Sequence, residues 1–211
     1  AEIREARDPR LLVCIDQEGG RVMAFRFPDV VRLPSGYRVG RHNDTRFVES
    51  AAYVNAVELR ELGINMNLAP VLDVTDVPDR GIIGDRSMGG DPASVAELGT
   101  SYVGAFHDAG VISTAKHFPG HGVTTVDSHG RLPVVDYTLD TLRERDLVPF
   151  AAAIDAGVPV IMTAHILFPG IDPEFPVTLS EVFLEDLLRD ELGFSGVVIS
   201  DGLEMGALAG N

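Results

Sequence analysis

The 211-residue sequence predicts an α/β fold, a (β/α)8 TIM barrel of which about five central βα units are readable and both ends are missing. Three observations predict it. Segments with helical apolar spacing alternate with short apolar runs of strand type. Each helical segment stops at a glycine just before the next run. Every run then ends in a polar or titratable residue. Helix, glycine, buried strand and long loop, repeated, is the grammar of parallel βα units.

The elements follow in order. "AEIREARDPR" reads as the tail of a helix leading into the first strand, "LLVCIDQ", after which Gly19-Gly20 allows a sharp turn. A helix over 45–62 ends at Gly63 and feeds "NMNLAP". A second, over 92–109, opens on Asp91-Pro92, an N-cap followed by proline in the first helical position, and ends at Gly110 before "VISTAKHF". A third, over 139–156, has Thr138 as N-cap and ends at Gly157 before "VPVIMTAH". The fourth, over 180–192, has Ser180 as N-cap and ends at Gly193 before "GVVISD". "LEMGALAGN" reads as a helix barely begun. The equal spacing of Gly63, Gly110 and Gly157 is architectural, because the units share no sequence. The whole of 1–211 is expected to be one domain, a fragment of a barrel.

Composition excludes several classes. The formal charge of -15 opposes binding to nucleic acid or anionic lipid, and no apolar run is long enough to span a bilayer. Cys14 is the lone cysteine, so no internal disulfide forms, and its apolar neighbours suggest a small core residue. With no visible signal peptide, this points to the cytoplasm. A secreted or lipid-anchored form stays open, because the N-terminus is read as missing.

The strand-end residues are Asp16, Asp73, Lys116 with His117, His165 and Asp201. In a parallel barrel these ends converge on the face that carries the active site. An open doubly wound sheet would line a crevice with them instead, but no GxGxxG follows a strand. The densest stretch is "KHFPGHGVTTVDSH" at 116–129, which contains Lys116, the only lysine beside 16 arginines. Its Pro-Gly steps end the strand at once. Asp127 and His129, one residue apart in a turn, can set a carboxylate against imidazole Nδ1 and leave Nε2 free to move a proton. The plainer alternative is that Asp127 caps the turn and His129 is solvated. Asp201 is either a helix cap or a nucleophile in the pocket. Asp16 could accept hydrogen bonds from hydroxyls, and Arg86 could clamp a polar ligand. His117, His121, His129 and Asp201 could instead be metal ligands. H-x3-H in a Pro-Gly loop does not enforce their convergence, and no metal or other cofactor is expected.

"IDQEGGRV", "LAPVLDV", "IGDRSMG", "KHFPGHG", "DSH" and "VISDGLEMGA", in this order, resemble the bacterial β-N-acetylhexosaminidases of glycoside hydrolase family 3. The resemblance covers nearly the whole chain and makes 1–211 a catalytic barrel domain of that family's N-terminal type. It implies a retaining exo-enzyme that removes terminal β-linked N-acetylglucosamine from muropeptide or chitin-derived sugars. Asp201 would be the nucleophile, His129 the general acid/base and Asp127 its orienting partner. Asp16, Arg86, Lys116 and His117 would hold sugar hydroxyls. The expected partner is a small carbohydrate. A β-glucosidase or an N-acetylglucosamine phosphorylase of the same superfamily is the alternative, followed by a metal-dependent barrel hydrolase and by an inactive carbohydrate-binding fragment. Two departures stand out. Ala24 replaces an arginine of many relatives, for which Arg26 is a substitute if the chain is extended there. Gly202 replaces a second Asp.

Overall fold

A computed structural model describes residues 11–27 and 30–208. The expected helix over 1–10 and the last three residues lie outside the described part. Seven strands and five α-helices are introduced below in chain order.

All five expected strands form, and they make one parallel sheet. Strand β1 (Cys14–Ile15), β4 (Met66–Asn67), β5 (Ile112–Phe118), β6 (Val160–Thr163) and β7 (Val197–Ser200) lie side by side in that order. The register pairs Ile15 with Asn67, Asn67 with Ser113, Lys116 with Met162 and Thr163 with Ser200. The carboxyl ends therefore share one rim, which carries Asp16, Lys116 and Asp201. The sheet curls as half of a barrel wall, with its helices packed outside. A separate hairpin, β2 (Gln17–Gly19) and β3 (Val22–Met23), turns at Gly19-Gly20 as expected.

The helices α2 (Thr45–Glu61) and α3 (Pro92–Asp108) match the expected spans. Asp44 and Asp91 accept N–H groups of the first turn, and Gly63 and Gly110 adopt the left-handed conformation that ends each helix. α3 lies between α2 and α5 (Leu147–Asp155), and α3 and α5 pack on β5. Phe106 and Leu98 of α3 are fully buried, and Phe118 of β5 meets the Phe150 ring edge-on at 5.5 Å. Each such side chain contributes about 2–3 kcal/mol of apolar burial.

The structure corrects three expectations and refines a fourth. The helix over 139–156 is two helices, α4 (Leu139–Glu144) and α5, broken at Arg145. Pro149 has no N–H for the Arg145 carbonyl, and its ring would collide with that carbonyl in a continuous helix. The fourth helix keeps its expected start, with Ser180 Oγ accepting the Phe183 N–H at 3.3 Å, but Val182–Glu191 bonds in the π pattern, its last turn closed by Leu192 N–H to the Leu187 carbonyl at 2.9 Å. Residues 203–208 form successive turns instead of a starting helix. Cys14 is exposed and does not belong to the core. It sits on β1, an edge strand among the described residues, with Leu11 and Leu12 also exposed. The sequence reading also passed over α1 (Gly36–His42), which buries no residue and so carries no apolar period.

Candidate active site

The site is built at the carboxyl rim, from β5 outward. Lys116 and His117 are neighbours, so a regular strand would send them to opposite faces. The register slips here: Lys116 pairs with Met162 and Phe118 with Thr163, so two steps on β5 oppose one on β6. This bulge lets both side chains line one cleft.

Lys116 Nζ, almost fully buried, meets Asp16 Oδ1 at 2.7 Å and Glu18 Oε1 at 2.6 Å. Glu18 also takes a two-pronged bond from Arg86, Nε at 2.8 Å and Nη2 at 2.7 Å. Burial alone would raise the Glu18 carboxyl. The Lys116 and Arg86 charges overcome that and hold it down at about 2. Two cations and two carboxylates thus form a compact network, with Asp16 half exposed at the mouth.

His117 is fixed from both sides. Its Nδ1 lies 2.7 Å from Asp73 Oδ2, and its Nε2 lies 3.2 Å from Arg86 Nη2. Arginine only donates, so Nε2 accepts and Nδ1 carries the proton toward Asp73. Asp73 is fully buried, and its Oδ1 accepts the backbone N–H of His121 at 2.6 Å. Burial pushes its carboxyl upward, but His117 and His121 beside it bring it below the usual carboxylate range.

Asp127 and His129 stand on the loop after β5. His129 Nδ1 lies 2.8 Å from Asp127 Oδ1, which also accepts the His129 backbone N–H at 3.0 Å. One carboxylate oxygen thus closes the turn and also faces the imidazole. Those two hydrogen bonds hold the Asp127 carboxyl below its ordinary range. His129 is largely exposed, and among the described residues its Nε2 meets no hydrogen-bond partner.

Asp201 follows β7. Its backbone N–H reaches the Thr163 carbonyl at 3.1 Å, and its Oδ1 accepts Gly202 N–H at 2.8 Å. Among the described residues only turns follow it, so it caps no helix there. Gly202 in turn offers its carbonyl to His165 Nε2 at 3.0 Å. The strand-end His165 therefore braces the turn after Asp201 and is not among the residues lining the cleft.

One cleft, about 700 Å³ measured out to bulk solvent, is lined by Asp16, Arg86, Lys116, His117, His129 and Asp201. Asp127 stands behind His129 and does not line it. The comparison with known proteins fits this geometry. Residues 2–211 match the model of the glycosyl hydrolase family 3 N terminal domain. The chain belongs to this family. A beta-hexosaminidase of Chromobacterium violaceum is 40% identical over 215 residues, which covers 100% of this chain and 60% of that protein. One of Nitrosospira multiformis is 42% identical over 219 residues, covering 100% and 62%. The chain thus spans less than two thirds of the length of these curated relatives. Among solved structures, a family 3 β-N-acetylglucosaminidase from a Paenibacillus species superposes with a TM-score of 0.91 at 48% identity, over 94% of this chain and 38% of that one. NagZ from Neisseria gonorrhoeae, in complex with N-trifluoroacetyl-D-glucosamine, gives 0.88 at 36% identity, over 96% and 61%.

Within this family 3 domain, three polar residues at the site went unassigned in the sequence. Glu18 had a signal: it lies two residues after Asp16 on an extended segment, and alternate residues share a face. Asp73 stood at a strand end, but its partners are 44 and 48 residues away in sequence. Ser128 gave no signal of its own. Two of the four residues of the metal reading are engaged in hydrogen bonds. His117 is held by Asp73 and Arg86, His121 by Thr124 and Ser128, and no cluster of three or more metal-ligating groups forms among the described residues. Arg26 does not replace the arginine absent at Ala24. Its guanidinium is tied to the carbonyls of Met23 at 3.0 Å and Arg21 at 2.6 Å.

Proposed function

We propose that this domain carries the active site of a retaining exo-β-N-acetylglucosaminidase acting on cell-wall or chitin-derived sugars. The observation that carries the reading is the cleft that Asp201 and His129 line together, with His129 oriented by Asp127 and Nε2 left open. Relatives described as beta-hexosaminidases and the solved N-acetylglucosaminidase support the substrate class.

In this reading Asp201 attacks the anomeric carbon. The bond to the leaving oxygen breaks, and His129 Nε2 gives that oxygen its proton. In the second step His129 Nε2 takes a proton from water as the water displaces Asp201, which restores the configuration. Asp127 steadies the imidazolium that gives up its proton in the first step and forms again in the second, and holds the neutral ring in place between them. A His–Asp pair in place of the second carboxyl group keeps the acid neutral once its proton has left. Lys116, Arg86, Asp16 and His117 present alternating donors and acceptors to the ring hydroxyls. No helix of the described residues is long and apolar enough to cross a membrane, and a cytoplasmic site of action is part of the proposal.

The test is trapping. A 5-fluoro-N-acetylglucosaminyl fluoride should form a slowly hydrolysed ester, and peptide mass mapping should place it on Asp201. A label on any other residue, or an inverted product, overturns the reading.

A further inference from the structure

The loop that bears His129 is long, polar and mostly exposed at its tip, yet its middle residue, Ser128, is almost fully buried. Two separate elements reach it. From below, His121 is itself buried, with its backbone N–H on Asp73 and its Nδ1 on the Thr124 hydroxyl. The Thr124 proton goes to the His121 carbonyl at 2.9 Å. Nδ1 is then the donor to that hydroxyl, and Nε2 is left as an acceptor. Facing Nε2 at 3.3 Å is the Ser128 hydroxyl. From above, the turns after Asp201 close on the same loop. Gly206 N–H donates to the His129 carbonyl at 2.9 Å and Ala207 N–H to the Ser128 carbonyl at 3.0 Å. The approach is so close that a Cβ on Gly206 would lie 2.6 Å from the Gly130 carbonyl oxygen.

We propose that His121 and Ser128 are positioning residues for general acid/base catalysis: their side-chain hydrogen bond, with the Gly206–Ala207 backbone on the other side, fixes how far His129 reaches into the cleft. Neither touches the reacting atoms in this role. The inference rests on the acid/base reading of His129 given above. Its physical basis is that a largely exposed imidazole on a loop has many rotations of the loop open to it, and a proton transfer needs one of them. The buried hydroxyl of the adjacent residue is the handle that selects it. The same arrangement ties the loop to the chain directly after Asp201, so the two groups of opposite duty share one support.

The experiment compares Ser128→Ala, Ser128→Thr, Gly206→Ala and His129→Ala in the full-length enzyme, with two substrates. A 2,4-dinitrophenyl N-acetyl-β-glucosaminide leaves without a proton, whereas N,N′-diacetylchitobiose needs one. Ser128→Ala should lower kcat/KM on the disaccharide about 10- to 100-fold while leaving it within about twofold on the dinitrophenyl substrate. Added azide, a nucleophile that needs no base, should restore its kcat on the dinitrophenyl substrate and yield the glycosyl azide. Ser128→Thr keeps the hydroxyl and should recover most of the loss. Gly206→Ala pushes the loop from the other side and should reproduce the pattern of Ser128→Ala. An equal loss on both substrates without azide rescue, or no loss on either, overturns the positioning role. Should His129→Ala itself show no dependence on the leaving group, the acid/base reading fails and this inference falls with it.

Discussion

At the scale of single residues, the site depends on charges removed from water and paired at once. Glu18 is the centre of this. It faces one ammonium and one guanidinium, and Lys116 is nearly inaccessible. Removing one partner of a buried pair leaves the other charge uncompensated, which costs about 3–5 kcal/mol. Glu18→Gln presents an amide N–H2 to groups that can only donate, and leaves Lys116 with the half-exposed Asp16 alone. Stability to urea should fall by roughly 3 kcal/mol. KM should rise more than kcat falls, because Arg86 and Lys116 are then free to swing away from the ligand. An unchanged urea midpoint and KM would show that Asp16 alone sets these cations. The residue scale is also where the sequence was least legible. Asp127 with His129, and Lys116 with His117, were readable because they are neighbours in the chain. Glu18 with Arg86 and Asp73 with His121 join residues 68 and 48 apart, and no local pattern encodes such pairs. The bulge that turns Lys116 and His117 to one side arises from pairing with β6, and neither strand states it by itself.

At the scale of elements, legibility follows punctuation. α2 and α3 begin at Asp44 and Asp91 and end before Gly63 and Gly110, so a residue type marks each boundary. α1 has neither a buried stripe nor a side-chain cap at its start, and it was missed. The break at Arg145 was in plain view as Pro149, but the apolar period runs smoothly across it and hid it. The caps make a direct prediction. Asp44 Oδ1 accepts the N–H groups of Arg46 at 3.0 Å and Phe47 at 3.2 Å. Asp44→Ala leaves both without a protein acceptor at the start of a helix of 17 residues. The cost should be about 1 kcal/mol in chemical unfolding, with turnover unchanged because Asp44 lies away from the cleft. A change in turnover equal to the change in stability would mean that α2 moves the rim.

At the scale of the whole molecule, the pH dependence of stability is set by groups whose environments oppose one another. Burial, with Asp73 adding to it against Arg145, pushes the Asp146 carboxyl from 3.8 up to about 7. Its folded pKa is above its unfolded one, so its contribution is fully present below pH 3.8 and is lost as pH rises toward 7. Burial, with His117 adding to it, pushes the His121 imidazole from 6.5 down to about 4. That contribution is fully present above pH 6.5 and is lost as pH falls toward 4. Between about pH 4 and 6.5 the two slopes, each about 1.4 kcal/mol per pH unit, run in opposite directions and nearly cancel. Below that window Glu18 takes over, because its stabilisation is present above 4.5 and disappears as pH falls toward 2. Stability should therefore be flat between pH 4 and 6.5 and fall steeply in more acid solution. Cancellation of this kind is concealed in the wild-type curve and exposed by removing one side. Asp146→Asn should tilt the plateau so that the melting temperature rises with pH from 4 to 6.5, while His121→Asn should tilt it the other way. Calorimetric scans across that range in 0.3 M salt, which screens the repulsion of a chain with net charge -15, read both slopes directly. Two variants tilting in the same direction would mean that the burial of one of these groups does not survive in solution, and with it the buried floor on which the His129 loop rests.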